Sequence, residues 1–539
     1  MRFAAVISDN SGFFIEAYFA AIKSGHVCVP LNPAASVQEI AYVAGVCKPE
    51  IAFVQKRRAK KFESVFSGAR AIITEDSLDG GQPAGATPGA SQPSGAEPRT
   101  GQPAGATPEA GQPSGAAPGA GQPAGAMPES CRPSGAAPEA ESPPGARDDD
   151  IAVVLFTSGS TGNPKGVMLS HGNLRCNTES IVEYLGIGPS ERALVVLPFF
   201  YCFGTSVLHT HLRAGASVAL NNEFMFPETV GEYINRYGCT SLSGVPGTYQ
   251  ILLRKSGFAS GAYPTLRYVA QAGGKLSPVF IKELIAALPG VRIVIMYGQT
   301  EATSRLSYLP PDLLEQKMGS IGKGIPGTEL RVIDERGDGV KPGEIGQIVA
   351  RGGNVMKGYL GDPGATSAVL RDGALYTGDL ATVDGDGFIY VAGREKQIIK
   401  YAGYRISPKE IEDVILGMGE VLEAVVFGVE DELLGEAPKA VVALRDAGAA
   451  AGGAAGAIGA GASGAGTSGM GASCAAAERI MARCHERLPS YKVPVEIEIA
   501  EGGLPKNAAG KLLLGEIAAK YGRRACGGTG KAGANYASR

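Results

Sequence analysis

The sequence predicts an α/β protein with largely parallel sheets, and three observations carry that prediction. Short β-rich runs alternate with helical ones: residues 152–156, 193–198, 217–220 and 292–296 read as strands, and 13–24, 279–287 and 408–416 as helices. The apolar run 152–156 leads straight into a loop of Gly, Ser and Thr, where main-chain N–H groups can gather on an anion. The length, 539 residues, leaves room for more than one domain, since domains usually run to about 100–200 residues.

The 78 Gly and 35 Pro matter for where they lie. Residues 81–146 repeat with a period of ten, as in GQPAGATPGA and GQPSGAAPGA, and hold almost no large apolar residue. Pro blocks helix and central strand, Gly raises the entropy of ordering, and no core can form, so a disordered insertion is predicted. Residues 447–477, nearly all Ala, Gly and Ser, read as a second solvated insertion, and 521–539 as a small basic tail. Long insertions are tolerated because closure entropy grows only logarithmically with length.

A net charge of −3 gives no basic field for nucleic acid or an acidic membrane surface. The nine Cys are scattered singly with no C-x-x-C pair, which argues against a zinc ribbon and a disulfide framework and suits a reducing compartment. Residues 1–10 lack the apolar stretch of a signal peptide, and no run of about 18 apolar residues predicts a membrane span. A cytoplasmic protein is expected.

The loop reads Phe156-Thr157-Ser158-Gly159-Ser160-Thr161-Gly162-Asn163-Pro164-Lys165-Gly166. Gly159 and Gly162 permit tight backbone, the hydroxyls of Thr157, Ser158, Ser160 and Thr161 add donors, and Lys165 adds a positive charge. The set suits the β- and γ-phosphates of a nucleotide. It is not a G-x-x-x-x-G-K-[ST] loop. The alternative is a surface loop leading into a helix after Asn173.

The full string resembles the signature loop of the adenylate-forming superfamily, which holds acyl-CoA synthetases, peptide-synthetase adenylation domains and beetle luciferases. Further strings resemble later motifs of that superfamily in its order: Gln271-Ala-Gly-Gly-Lys-Leu276, Tyr297-Gly-Gln-Thr-Glu301, Tyr376-Thr-Gly-Asp-Leu380, the basic stretch 393–412 and Leu504-Pro-Lys-Asn-Ala-Ala-Gly-Lys-Leu512. Read without the resemblance, these are turns, a solvated hairpin with a capped helix after Ser407, and a surface lysine.

The resemblance implies a large N-terminal domain of layered α/β subdomains, 1–392, a hinge at 393–397, and a small mobile α+β domain, 398–520. It implies ATP, Mg²⁺ and coenzyme A as cofactors or co-substrates, and a small-molecule carboxylic acid as substrate. An acyl carrier protein is the alternative acceptor. Thr300 would touch the α-phosphate, Glu301 would support the metal, and Tyr297, with Gly298 and Gln299 beside it, would stack on adenine. Gly273 and Gly274 would border adenine and the acyl pocket, and Asp379 and Arg394 would hold the ribose. Lys396 would be the pivot. Lys400 would face the site after the small domain turns, and Lys511 would bridge the substrate carboxylate and the α-phosphate.

Acyl-pocket candidates are Tyr201, Phe203, Gly204, Val245 and Gly247. Tyr201 stands where many relatives place His. No acidic residue occurs between Pro198 and Leu220, where an amino-acid-activating relative would need one, so an uncharged acyl or aryl acid is expected. The stretch 240–310 looks most like bacterial acyl-CoA ligases. Arg2–Asn32 look like a region some way inside the family's usual start, so an N-terminal piece is expected to be absent. The competing readings are a luciferase-type oxidation and a catalytically inactive acyl- and nucleotide-binding module.

Overall fold

Alternation along the strand Phe3–Ile7 sets up two apolar layers: Ala4 and Val6 enter one core, Phe3, Ala5 and Ile7 another. The computed structural model describes residues 1–79, 147–157, 164–401, 404–431, 435–445, 468–507 and 510–522. The decapeptide repeats, residues 158–163, most of the 447–477 stretch and the tail beyond 522 lie outside them. The chain forms two units, Met1–Thr74 with Ala140–Arg539, and Glu75–Glu139. Of the second, the helix Glu75–Asp79 is described.

Two seven-stranded sheets form the larger part of the first unit. One runs Gly358–Tyr359, Lys165–Ser170, Ile151–Thr157, Val27–Leu31, Phe3–Ile7, Ile51–Val54, Ala71–Ile73. The other runs Lys323–Gly324, Ser307–Leu309, Arg292–Tyr297, Tyr268–Gln271, Ser241–Gly244, Arg192–Val195, Ser217–Leu220. In each, the last five strands are parallel and the first two are added antiparallel. Ala4, Val6, Val153 and Leu155 of one sheet share a core with Ala193, Val195, Ala270 and Val294 of the other. The helices Gly12–Lys23, His171–Leu185 and Cys202–Arg213 fill it with Phe14, Tyr18, Ile181, Val207 and Leu208.

A third sheet departs from the parallel expectation. Thr328–Ile333, Gly346–Gly352, Ala374–Val383 and Ile389–Arg394 are joined antiparallel, with Leu370–Arg371 on the edge. Parallel pairing needs a crossover of a dozen or more residues, usually a helix. The turn 384–388 is far too short, and Asp384 closes it by accepting from the N–H groups of Asp386 and Phe388.

The small domain builds a fourth sheet, in which Gly435–Leu444 pairs antiparallel with Val421–Asp431 and parallel with Glu496–Ile499. Its Ile406, Ile411, Ile415 and Ile480 join Leu242, Val269 and Ile293 of the second sheet in one apolar cluster.

Three local expectations need correction. Residues 468–477, expected to be solvated, begin the helix Ser468–Arg487, because Ala is the strongest helix former and Ala476 finds a buried site. The helix expected after Asn173 starts at His171, where Ser170 and Asn173 form reciprocal caps. Ser407 precedes the helix Pro408–Leu416 without capping it, since its hydroxyl donates to the Ala392 carbonyl.

Candidate active site

The glycine-rich loop springs from a hairpin in which Thr157 pairs with Lys165 across antiparallel strands. Ser158, Gly159, Ser160, Thr161 and Gly162 lie outside the described residues. Behind the loop, the Asn173 amide donates to the carbonyls of Gly353 (2.7 Å) and Val355 (2.8 Å). That ties a strap, residues 353–360, to the first turn of the helix His171–Leu185, which follows the strand leaving the loop. Lys357 and Leu360 continue the attachment by donating backbone N–H bonds to Met168 and Gly166.

Two parallel strands of the second sheet deliver the next groups at their carboxyl ends, where open α/β sheets bind ligands. After Tyr268–Gln271 come Gly273 and Gly274, in a turn closed by the Gln271 amide on the Gly274 carbonyl (2.7 Å). After Arg292–Tyr297 come Gly298, Gln299, Thr300 and Glu301. A Cβ at Gly298 would lie 1.9 Å from the Ser304 carbonyl oxygen, so only glycine fits. Gln299 Nε2 is buried with no hydrogen-bond partner among the described residues.

The segment ends in strain. Thr303 has φ 64 and ψ −46, and the Ser304 N–H donates to the Ala302 carbonyl, which is the strained form of γ-turn. A β-branched residue enters this region only when its surroundings impose it, and such outliers gather at functional sites. Here the strap imposes it. Thr303 Oγ1 donates to the Asn354 carbonyl (2.7 Å), and the Met356 N–H to the Glu301 carbonyl (2.9 Å).

Asp379, on the strand Ala374–Val383, sits directly opposite Arg394 in the antiparallel ladder. Its carboxylate accepts from Arg394 Nε (3.1 Å) and from the Tyr297 hydroxyl (2.6 Å). Burial and the Asp379 charge push the Tyr297 pKa up, so the phenol remains a donor. A carboxylate has about four acceptor sites, which leaves capacity for ribose hydroxyls.

Glu301 receives the hydroxyl of Tyr359 on Oε1 (2.8 Å), and Lys165 Nζ lies 5.1 Å from the centroid of the same ring. Among the described residues no group of three or more His, Cys, Asp or Glu could cage a metal. One carboxylate beside the Thr300 hydroxyl fits Mg²⁺, which keeps several waters and is usually bound through one or two carboxylates plus substrate phosphates.

Lys511 arrives from the small domain on a tight loop. Its N–H donates to Asn507 Oδ1 (3.0 Å), and its carbonyl accepts from the Asn507 N–H (2.8 Å). The loop is pressed against the large domain. A Cβ on Gly247 would lie 2.9 Å from the Gly510 carbonyl oxygen, and one on Gly510 would touch Val245. Lys511 keeps solvent contact, yet protein surrounds it closely enough that desolvation lowers its pKa. The Arg394 charge lowers it further, while Asp379 and Cys202 oppose the shift. Lys275 also pairs with Asp413 (2.8 Å), and the buried Arg254 guanidinium donates to the Val421 carbonyl. In this arrangement Lys400 is exposed, with its N–H on Glu436. Lys396 lies in the short turn Glu395–Gln397.

Of the acyl-pocket candidates, Tyr201 is half-buried at the start of the helix Cys202–Arg213, its pKa pushed up to about 12 by burial. Phe203 turns into the core with the Arg305 guanidinium 3.8 Å from its ring centroid, and Gly204 and Val245 are buried. Sequence reasoning missed Tyr359, Cys202 and Arg305. Cys202 Sγ accepts from the Thr300 hydroxyl (3.4 Å) and so lies against a residue the sequence singles out. Position beside Tyr201 was its one available signal.

The family model described as AMP-binding enzyme matches residues 2–360, and the one described as AMP-binding enzyme C-terminal domain matches residues 410–511. A feruloyl-CoA synthase from Amycolatopsis sp is 35% identical over 376 residues, covering 69% of this chain and 70% of that protein. A long-chain-fatty-acid–CoA ligase from Yersinia pestis is 34% identical over 374 residues, 68% of this chain and 61% of the relative. Among solved structures, o-succinylbenzoate CoA synthetase from Bacillus subtilis in complex with its acyl-adenylate intermediate superposes with a TM-score of 0.71 at 26% identity. It covers 96% of this chain and 88% of that one.

Proposed function

The chain belongs to the AMP-binding enzyme family and is an ATP-dependent ligase that activates a carboxylic acid and transfers it to coenzyme A; from that premise we propose that its acid has an uncharged acyl or aryl body and that Lys511, Thr300, Glu301 and Asp379 carry the adenylation step.

In the first half-reaction a carboxylate oxygen of the acid attacks the α-phosphorus of ATP, the bond to the bridging oxygen breaks, and pyrophosphate leaves. The protein's task is to position the reactants and stabilise spreading negative charge. Lys511 sets its ammonium between the carboxylate and the α-phosphate, and the Thr300 hydroxyl donates to the same phosphate. Asp379 accepts from the ribose, held in place by Tyr297 and Arg394. Lys165 and the loop hydroxyls receive the β- and γ-phosphates. Mg²⁺, when bound with the triphosphate against Glu301, neutralises charge on its oxygens.

In the second half-reaction a thiol attacks the acyl carbonyl, a thioester forms, and AMP departs. The small domain turns about the 393–397 hinge between the steps, withdrawing Lys511 and bringing Lys400 inward. Closure in the first state keeps water from the adenylate. The observation that supports this reading is the Gly510–Lys511 loop packed against Val245 and Gly247 of the large domain, which brings Lys511 within electrostatic reach of Arg394 and Asp379.

The uncharged body is read from the apolar and aromatic character of Tyr201, Phe203, Val245 and Gly247, and from the absence of any Asp or Glu in the sequence between Pro198 and Leu220. The phosphopantetheine arm of an acyl carrier protein ends in the same thiol as coenzyme A and is the second acceptor to assay. No disulfide joins the described cysteines, which fits a cytoplasmic setting, and among the described residues no helix is long and apolar enough to cross a membrane.

Carboxylate-dependent ATP–pyrophosphate exchange across short, medium, long-chain and aryl acids, without thiol, tests the reading. Exchange with one class of uncharged acid is expected. Exchange with amino acids alone would overturn the substrate class. No exchange with any acid, from folded protein, would point to the inactive binding module.

A further inference from the structure

We propose that Tyr359 is a positioning residue that holds Glu301 and Lys165 in one fixed arrangement, so that a single side chain sets the carboxylate facing the metal and the ammonium facing the phosphates. The proposal rests on the assignment of Glu301 to Mg²⁺ given above.

Tyr359 belongs to the two-residue strand Gly358–Tyr359, which pairs with Lys165–Ser170 at the edge of the first sheet, Tyr359 opposite Val167. Glu301 belongs to the short turn Thr300–Ala302 that follows the second sheet. The phenol therefore spans two sheets whose relative setting decides the distance between phosphate loop and metal. Its hydroxyl donates to Glu301 Oε1 (2.8 Å), and Oε2 accepts no protein hydrogen bond among the described residues. The bond thus selects which oxygen is left for a cation. Its ring lies 5.1 Å from Lys165 Nζ, within the range at which an ammonium is drawn to an aromatic face.

Tyr359 is 8% exposed, so bulk water cannot easily replace Glu301 as its acceptor. The surrounding strap makes the geometry rigid. It is bonded on one side to Gly166 and Met168, and on the other to the Glu301 carbonyl and the Thr303 hydroxyl. Substrate triphosphate and its metal would meet a carboxylate and an ammonium already oriented, instead of two side chains free to collapse on each other.

The test is Tyr359→Phe in the full chain, which keeps the ring under Lys165 and removes the hydroxyl. Calorimetric titration should show Mn²⁺·ATP binding about ten-fold more weakly, the size expected for one lost hydrogen bond to a charged acceptor. Binding of ATP in EDTA and of AMP, which need no metal, should be unchanged, as should the melting temperature. In the exchange assay the Mg²⁺ concentration for half-maximal rate should rise while the rate at saturating Mg²⁺ holds. Tyr359→Leu, which also removes the ring, should weaken metal-free ATP as well. Wild-type Mn²⁺·ATP affinity in Tyr359→Phe overturns the proposal. So does an equal loss for Mn²⁺·ATP and metal-free ATP with a lowered melting temperature, which marks a packing role. Failure of the unaltered chain to bind ATP at all would instead defeat the family-based assignment of the site.

Discussion

The nucleotide side of the site and the docked small domain are held by different kinds of contact. Asp379 takes hydrogen bonds from Tyr297 and Arg394, Glu301 takes one from Tyr359, and the strained turn at Thr303 is bonded to Asn354. These contacts are direct side-chain hydrogen bonds, partly or fully buried, and all but the Arg394–Asp379 bond join segments about 50 or more residues apart. The small domain touches the site through the Gly510–Lys511 loop, the half-buried Lys275–Asp413 pair and the Arg254 bond to Val421. One side is fixed by hydrogen bonds among its own site groups; the other rests on a shared apolar cluster and brings one proposed cation to the site on a loop. A ligase whose two half-reactions need the same nucleotide pocket but different groups above it is served by that division.

The largest effect is expected from removing Lys511. Lys511→Ala should slow adenylation by about 10²–10³, the effect of one lost transition-state donor. Thioester formation from preformed acyl-adenylate should be nearly unchanged. Equal loss in both assays would mean that the loop does not leave between steps.

Asp379→Ala strikes the fixed side. It removes the acceptor of the Tyr297 hydroxyl and of the Arg394 guanidinium, and the acceptor proposed for the ribose. The KM for ATP in the exchange assay should rise about 10–100-fold, on the scale of hydrogen bonds to charged groups. The KM for the acid should move little. A rise confined to the acid would relocate the nucleotide.

The pH dependence of Lys511 separates the two sides again. Its pKa is lowered by desolvation and by Arg394, so the free enzyme loses the ammonium at a pH below the ordinary lysine range. Adenylation kcat/KM should fall on that alkaline limb, and Lys511→Arg should move the limb upward if it retains activity. The stability linkage has the matching sign. The unfolded chain binds this proton more tightly, so the Lys511 contribution to stability rises with pH across the window between the lowered pKa and the ordinary value. A limb that persists in Lys511→Arg belongs to another group.

The smallest effect is expected at the docking pair. Asp413→Asn and Lys275→Met should each change the adenylation rate by less than about five-fold, because partly exposed ion pairs are worth about 0.2–1 kcal/mol. A double-mutant cycle on the ratio of adenylation to thioester formation would show whether the pair favours the arrangement that presents Lys511. Additive effects would make it incidental.

Much of this was legible before folding. Gly-rich and hydroxyl-rich strings, a carboxylate after an apolar run and a lysine near the end are local patterns, because tight turns and phosphate contacts need particular residues in sequence. The parallel sheets were readable from alternation of elements, since each strand and helix is decided mostly by its own periodicity. Harder to read were the antiparallel third sheet, whose strands share the same alternation, and the helix over 468–477, where Ala-rich composition suits both coil and helix until a core is offered.

Tertiary structure alone decided which distant groups meet. Tyr359 reaches Glu301 across 58 residues, Tyr297 reaches Asp379 across 82, and Gly510 comes against Gly247 from another domain. Sequence determined the chemical inventory, because side-chain chemistry and local backbone freedom are properties of a residue and its neighbours. Folding determined the pairing and orientation of that inventory, because hydrogen-bond and ion-pair geometry depends on how sheets are stacked, and stacking is set by the summed burial of the whole core rather than by any one segment.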